Sequence, residues 1–320
     1  MIHQRIPLNA QNPDACLETY FLDYLSAYRY DGGAPVIVIC PGGGFAYLAD
    51  REMEPVAMVF NAMGYHAAIL RYSCGKYCNV AASVADAACA VAILRQRAGD
   101  FRIDPGRIFL CGFSAGGFIA SALGVFWDTS WLCREMKQRG REWIGFSQES
   151  LQWRPDRLIL GYPVINLNEV TDILPYIENF SMGNPNVCED DYTFYRDEQK
   201  YINFRRLENT WLFGNAWPDK RTVEKYCPDL HVDGRTPPAF IWHTMQDNLV
   251  FPENSIRFAT ALRKAGVDCE LHLFAKGFHG LSLANEVSAL RQSDVVAGCQ
   301  MWVELVREWI FAECDGGAGA

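Results

Sequence analysis

Short apolar runs alternate with longer stretches of helical spacing along most of this chain, and that rhythm leaves few architectures open. The strand-like runs fall at residues 36–40 (VIVIC), 65–72, 107–111, 157–162 (RLILGY), 239–243 and 268–274. Helical patterns lie between and after them at 52–63, 80–97, 115–125, 255–264 and 297–311. A strand followed by a helix and another strand pairs in parallel, because the helix carries the chain back to the starting edge. Helices then cover both faces, so the strands read as continuous apolar runs. The rhythm predicts an α/β fold with a mostly parallel central sheet and helices on both faces. Residues 2–8 and 16–24 are expected to add an antiparallel hairpin at one edge. A length of 320 residues suits one such domain, spanning 1–320.

Two stretches break the rhythm, 127–156 and 166–237. Both exceed plain connections and are rich in aromatics: Trp127, Trp131, Trp143 and Trp153 in the first, Tyr192, Phe194, Tyr195, Phe204, Trp211 and Trp217 in the second. Insertions after the carboxyl ends of strands lie over the ligand crevice of an α/β sheet. Both are expected to form a cap.

The charge balance excludes some partners. Lys and Arg number 29 and Asp and Glu 38, a net charge of −9, which disfavours nucleic acid and anionic membrane surfaces. No apolar stretch is long enough to span a bilayer. The opening MIHQRIPLNA lacks the apolar run of a secretory leader, so a cytoplasmic protein is expected. The 12 cysteines are scattered through apolar segments (Cys40, Cys89, Cys111 and Cys269) and read as small buried hydrophobes. Cys74 and Cys78 have no second pair to complete a zinc site. The closing DGGAGA, 315–320, is expected to fray.

The chemistry concentrates at the ends of the strand runs. Gly112-Phe113-Ser114-Ala115-Gly116 follows one strand and opens a helix. This G-x-S-x-G arrangement places a serine on a strained turn where side chains at the glycine positions would clash. The helix start favours negative charge developing beside it. Pro41-Gly42-Gly43-Gly44-Phe45 follows the first parallel strand. Fixed backbone amides can stabilise a carbonyl oxyanion by several kcal/mol. The candidate donors are Gly43, Gly44 and Ala115, the residue after the nucleophile. The loop lacks the spacing of a nucleotide-binding motif.

A serine needs a base to take its proton and a carboxylate to fix the tautomer of that base. Of the six histidines, His279 lies between glycines just past the last strand, in KGFHG. His243 and His272 fall within strand patterns and are expected to be packed or paired there, and His66 lies inside another strand. Asp247 follows the strand ending at His243. Ser114, Asp247 and His279 thus stand in that chain order at successive strand ends.

Four segments, PGGGF at 41–45, GFSAGG at 112–117, HTMQDNLVFPENS at 243–255 and GFHGLSLA at 277–284, resemble the α/β-hydrolase superfamily. Within it they are similar to the acetyl-esterase branch related to acetylxylan and other carbohydrate esterases. The resemblance spans about 35–284. It implies a serine esterase with an acyl-enzyme on Ser114, no metal and no organic cofactor. The implied substrate is a small-molecule or oligosaccharide ester. Phe45, Phe113, Phe251 and Phe278 flank the motifs and are expected to make a small pocket for a short acyl group such as acetyl. Pro41 departs from the histidine that hormone-sensitive-lipase relatives carry there, which removes a side chain that could support the glycine loop. The same triad also serves arylformamidases, general carboxylesterases and peptidases. A binding protein without chemistry would not need it.

Overall fold

The chain begins with an antiparallel edge pair, β1 (Arg5–Pro7) and β2 (Cys16–Tyr20). It continues through β3 (Ala34–Cys40), β4 (His66–Arg71), β5 (Ile103–Phe113), β6 (Arg157–Gly161), β7 (Ile173–Pro175), β8 (Thr193–Arg196), β9 (Gln199–Asn203), β10 (Ala239–Thr244) and β11 (Cys269–Phe274). The computed structural model describes residues 1–26, 30, 32–140, 150–168, 170–171, 173–175 and 192–315. Eight strands form one sheet in the order β1-β2-β4-β3-β5-β6-β10-β11. From β4 to β11 every neighbouring pair is parallel. This is the α/β arrangement that the alternation predicts, with the edge hairpin in place.

The pleat explains the continuous apolar runs. Val36, Val38 and Cys40 of β3 enter one core, and Ile37 and Ile39 enter the core on the opposite face. Each face is covered by helices, so both sets are buried. One core lies under α1 (Glu54–Ala62), which stops at Met63-Gly64, and the C-terminal helix. The other lies under α2 (Val80–Gln96), whose cap Asn79 accepts the Ala82 amide at 2.8 Å, and α3 (Ala115–Phe126). α2 is alanine-rich because it is covered on more than one side. α4 (Ser130–Gly140) packs along it, with Arg139 paired to the buried Asp86.

α4 belongs to the first insertion, so the described part of 127–156 lies against α2. There Trp153 donates its indole N–H to the Trp127 carbonyl at 2.7 Å. Trp143 falls outside the described residues. The second insertion builds its own antiparallel sheet, β7-β9-β8, followed by α5 (Phe204–Phe213). Asn203 caps α5, and Gly214 ends it in the left-handed conformation. Arg205 ties the start of this helix to the carbonyls of Asn168 and Val170. After β10 come α6 (Glu253–Lys264), β11 and α7 (Trp302–Asp315). The helix expected at 297–311 is a short turn, Ala297–Gln300, followed by α7. Among the described residues, no helix is long and apolar enough to cross a membrane.

Candidate active site

The carboxyl ends of β3, β5, β10 and β11 deliver the candidate residues to one edge of the sheet. β5 runs two residues beyond its predicted end and stops at Phe113. Ser114 then turns sharply, with φ at 51° and ψ at −120°. A non-glycine residue there is strained by about 1–3 kcal/mol. Neighbours hold the turn: the Ser114 amide donates to the Gly161 carbonyl, and the Ser114 carbonyl accepts from Val164 and Phe118. Close approach explains the flanking glycines. A Cβ on Gly116 would stand 2.0 Å from the Cys40 carbonyl oxygen, and one on Gly112 would stand 2.4 Å from that of Gly116.

The Ser114 hydroxyl meets His279 Nε2 at 2.8 Å, and His279 Nδ1 meets Asp247 Oδ2 at 2.7 Å. Asp247 is buried, and its other oxygen accepts the amides of Leu249 and Val250, each at 3.0 Å. Burial alone would push this carboxyl up. The attraction of a protonated His279 and hydrogen bonds from His243 and His279 outweigh it and hold Asp247 well below the usual carboxylate range. An ionised Asp247 only accepts, so His279 Nδ1 carries a proton, and in the neutral ring Nε2 is then bare. The serine hydroxyl therefore donates to Nε2, the arrangement needed to withdraw its proton. The His279 loop is fixed as well: the Gly277 carbonyl accepts from the Thr244 hydroxyl, and the Gly277 amide donates to Gln246.

The glycine loop lies alongside. Gly43 and Gly44 adopt φ of 131° and 59°, and a Cβ on Gly43 would sit 2.1 Å from the Tyr47 carbonyl oxygen. Among the described residues, the amides of Gly43 and Gly44 have no backbone acceptor. Ala115 is the first residue of α3, so its amide is one of the orphan donors of a helix start. The Gly42 amide is occupied: it donates to Glu52 Oε2 at 2.6 Å.

Two of the four phenylalanines expected around an acyl pocket lie instead in the cores on opposite faces of the sheet. Phe45 is fully buried against Phe118 in one core. Phe113 is fully buried on the opposite face, against Tyr162 and Trp302. Strand alternation sends Phe113 away from the serine that follows it. Phe251 is half-buried, and Phe278 is 54% exposed beside His279. Sequence reasoning placed Phe204 only among the aromatics of the second insertion; its ring stands 3.2 Å from where a Cβ on Gly44 would be. It overlooked Glu52, a buried acid 10 residues past Gly42, whose amide it accepts. His243 is paired as expected for a strand histidine, and its partners are Asp247, Val250 and Ser255. His66 and His272 are bonded elsewhere.

The BD-FAE family profile matches residues 22–262. The chain belongs to the BD-FAE family. It is 29% identical, over 83% of its length, to endo-1,4-beta-xylanase B of Butyrivibrio fibrisolvens, and covers 36% of that protein. It is 25% identical, over 76% of its length, to the acetylxylan esterase of Xylanibacter ruminicola, and covers 40% of it. The chain thus spans less than half the length of these curated relatives. Among solved structures, the acetyl ester-xyloside bifunctional hydrolase of Caldicellulosiruptor lactoaceticus superposes with a TM-score of 0.71 at 30% identity. That match covers 97% of this chain and 96% of the other. In this BD-FAE chain, no group of three or more His, Cys, Asp or Glu side chains among the described residues is placed to hold a metal ion. Burial raises the thiols of Cys74 and Cys78 above the ordinary cysteine value, Cys74 to about 11.

Proposed function

We propose that this chain is a serine carboxylic-ester hydrolase that removes short acyl groups, acetyl above all, from carbohydrate or other small esters. The unbroken relay from Asp247 Oδ2 through His279 to Ser114 Oγ carries the reading. His279 Nε2 takes the hydroxyl proton as Ser114 Oγ bonds to the ester carbonyl carbon. The carbonyl oxygen becomes an oxyanion beside the amides of Gly43, Gly44 and Ala115. Collapse breaks the bond to the alcohol oxygen, which leaves with the proton from His279. A water then repeats the sequence on the acyl-enzyme: His279 takes its proton, its oxygen bonds to the acyl carbon, and Ser114 leaves protonated.

Two observations support a short acyl group on a carbohydrate. The Phe204 ring of the second insertion lies against Gly44, on the loop that would hold the oxyanion. Two of the similar proteins are also named for acetyl esters and xylose carbohydrates, an acetylxylan esterase and an acetyl ester-xyloside bifunctional hydrolase. On this reading 1–320 is one domain, and the insertion at 166–237 serves as its cap.

The test is hydrolysis of nitrophenyl acetate, butyrate and octanoate by wild type and Ser114→Ala, with acetate release from acetylated xylan and xylo-oligosaccharides alongside. Serine-dependent turnover that favours acetate and deacetylates the sugars is expected. Turnover equal in wild type and Ser114→Ala would sink the assignment. Serine-dependent turnover of octanoate, of a formamide or of a peptide in preference to acetate would move the chain to a general carboxylesterase, a formamidase or a peptidase.

A further inference from the structure

Glu52 is a carboxylate only 2% exposed, on the short turn Asp50–Glu52 ahead of α1. The relay through Ser114, His279 and Asp247 does not use it. A charge that deep persists only where donors surround it, and its donors come from two separate loops. The Gly42 amide donates to Oε2, and the Tyr162 hydroxyl donates to Oε1, each at 2.6 Å. The Tyr162 oxygen in turn accepts the Ser282 amide at 2.8 Å. The Ser282 hydroxyl donates to the carbonyl of Arg51, next to Glu52, at 2.6 Å, which closes the ring.

This ring touches each part of the site. Gly42 opens the glycine loop, and a Cβ on it would lie 2.9 Å from both the Ser114 Cβ and Glu52 Oε2. Tyr162 follows Gly161, the acceptor of the Ser114 amide. The Tyr162 ring stands edge-on to the His279 ring, with centroids 5.1 Å apart. Ser282 lies three residues past His279. Tyr162 and Ser282 both adopt left-handed φ, 37° and 53°, as non-glycine residues. Packing alone could be served by an apolar pair of the same shape, often at no loss of stability.

We propose that Glu52 and Tyr162 are positioning residues that hold the Gly42–Gly44 loop and the His279 loop at matching heights around Ser114. Glu52 takes the Gly42 amide, which leaves the next two amides for the oxyanion. Tyr162 sets the histidine from the same anchor. Glu52 also provides the loop support that Pro41 cannot. The inference rests on the esterase reading above.

The test uses Tyr162→Phe, Glu52→Gln and Glu52→Ala in the full chain. Tyr162→Phe keeps the ring against His279 and removes only the hydroxyl. kcat and KM are measured on nitrophenyl acetate, and the rate of Ser114 labelling by a fluorophosphonate is followed by intact mass. Melting curves establish the folded fraction. Tyr162→Phe and Glu52→Ala are expected to lower kcat roughly 10- to 100-fold while remaining folded, because small misplacement of a reacting group has effects of that order. KM should move less than about threefold, and labelling should slow with kcat. Glu52→Gln should recover part of the loss, since its amide oxygen can still accept from Gly42. Folded Tyr162→Phe and Glu52→Gln with wild-type kcat and labelling rates would overturn the positioning role alone. So would a loss confined to KM, or one that follows the unfolded fraction. If Glu52→Ala does not fold, the other two variants decide. A wild-type chain that neither turns over ester nor labels at Ser114 would overturn the esterase reading, and this inference with it.

Discussion

His243 Nε2 lies 3.1 Å from Asp247 Oδ2, the oxygen that also receives His279. The same nitrogen lies 3.0 Å from the Val250 carbonyl, so both of its neighbours are acceptors and it carries a proton. In the neutral ring Nδ1 is then bare and accepts from the Ser255 hydroxyl at 2.8 Å. A second, buried histidine thus clamps the carboxylate from beneath. His243→Phe removes that donor and leaves buried acceptors unpaired. Stability should fall by about 1–3 kcal/mol, and kcat should fall as Asp247 loosens. Chemical denaturation and steady-state kinetics check this; an unchanged unfolding midpoint would count against the clamp.

Asp247→Asn keeps the shape and removes the charge. The amide can donate to Nδ1, which reverses the tautomer of His279 and protonates the nitrogen facing Ser114. Folded protein with kcat reduced about 10⁴-fold is expected. A rate near wild type would show that another acid orients the base.

Ser114 pays in strain for its place. Glycine accepts φ of 51° without penalty, so Ser114→Gly should raise stability by roughly 1 kcal/mol while abolishing turnover. Denaturant titration of wild type and variant reads the difference; a destabilised glycine variant would mean the turn is relaxed.

Glu208 on α5 is buried, and burial pushes its carboxyl up to about 8, with Arg205 only partly opposing. The folded state therefore holds a proton that the unfolded chain has released between its ordinary value of 4.5 and about 8. Stability from this group is full below that range and is lost as pH rises through it. Wild type should lose roughly 2–4 kcal/mol between pH 5 and 9 through this group. Glu208→Gln should flatten the profile and be the more stable protein at pH 9. Identical pH profiles for the two proteins would refute the shift.

Arg139 and Asp86 form a buried ion pair that joins α4 to α2, and Asp86 also accepts the Ser73 amide at 2.7 Å. Arg139→Ala strands the carboxylate and should cost about 3–5 kcal/mol. Replacing both residues with apolar ones should restore most of that. A single variant as stable as wild type would mean that solvent already reaches Asp86.

The sequence alone was enough for whatever depends on neighbours along the chain. The alternation of VIVIC, RLILGY and their helical partners determined a parallel sheet, because each period reports the faces of one element. G-x-S-x-G announced its turn, since the clash that demands each glycine arises within a few residues. The order of Ser114, Asp247 and His279 at strand ends could be read because strand ends share one edge of a parallel sheet. Only the tertiary structure decided which side chains meet across the sheet. Glu52 reaches Tyr162 over 110 residues, and no local pattern marks either as a partner of the glycine loop. Phe113 looked like a pocket residue because it adjoins Ser114 in sequence, yet the pleat turns it into the opposite core. Phe204 reaches Gly44 from an insertion whose path no periodicity records. Periodicity encodes the direction in which a side chain leaves its own element, whereas its contacts depend on how distant elements pack together.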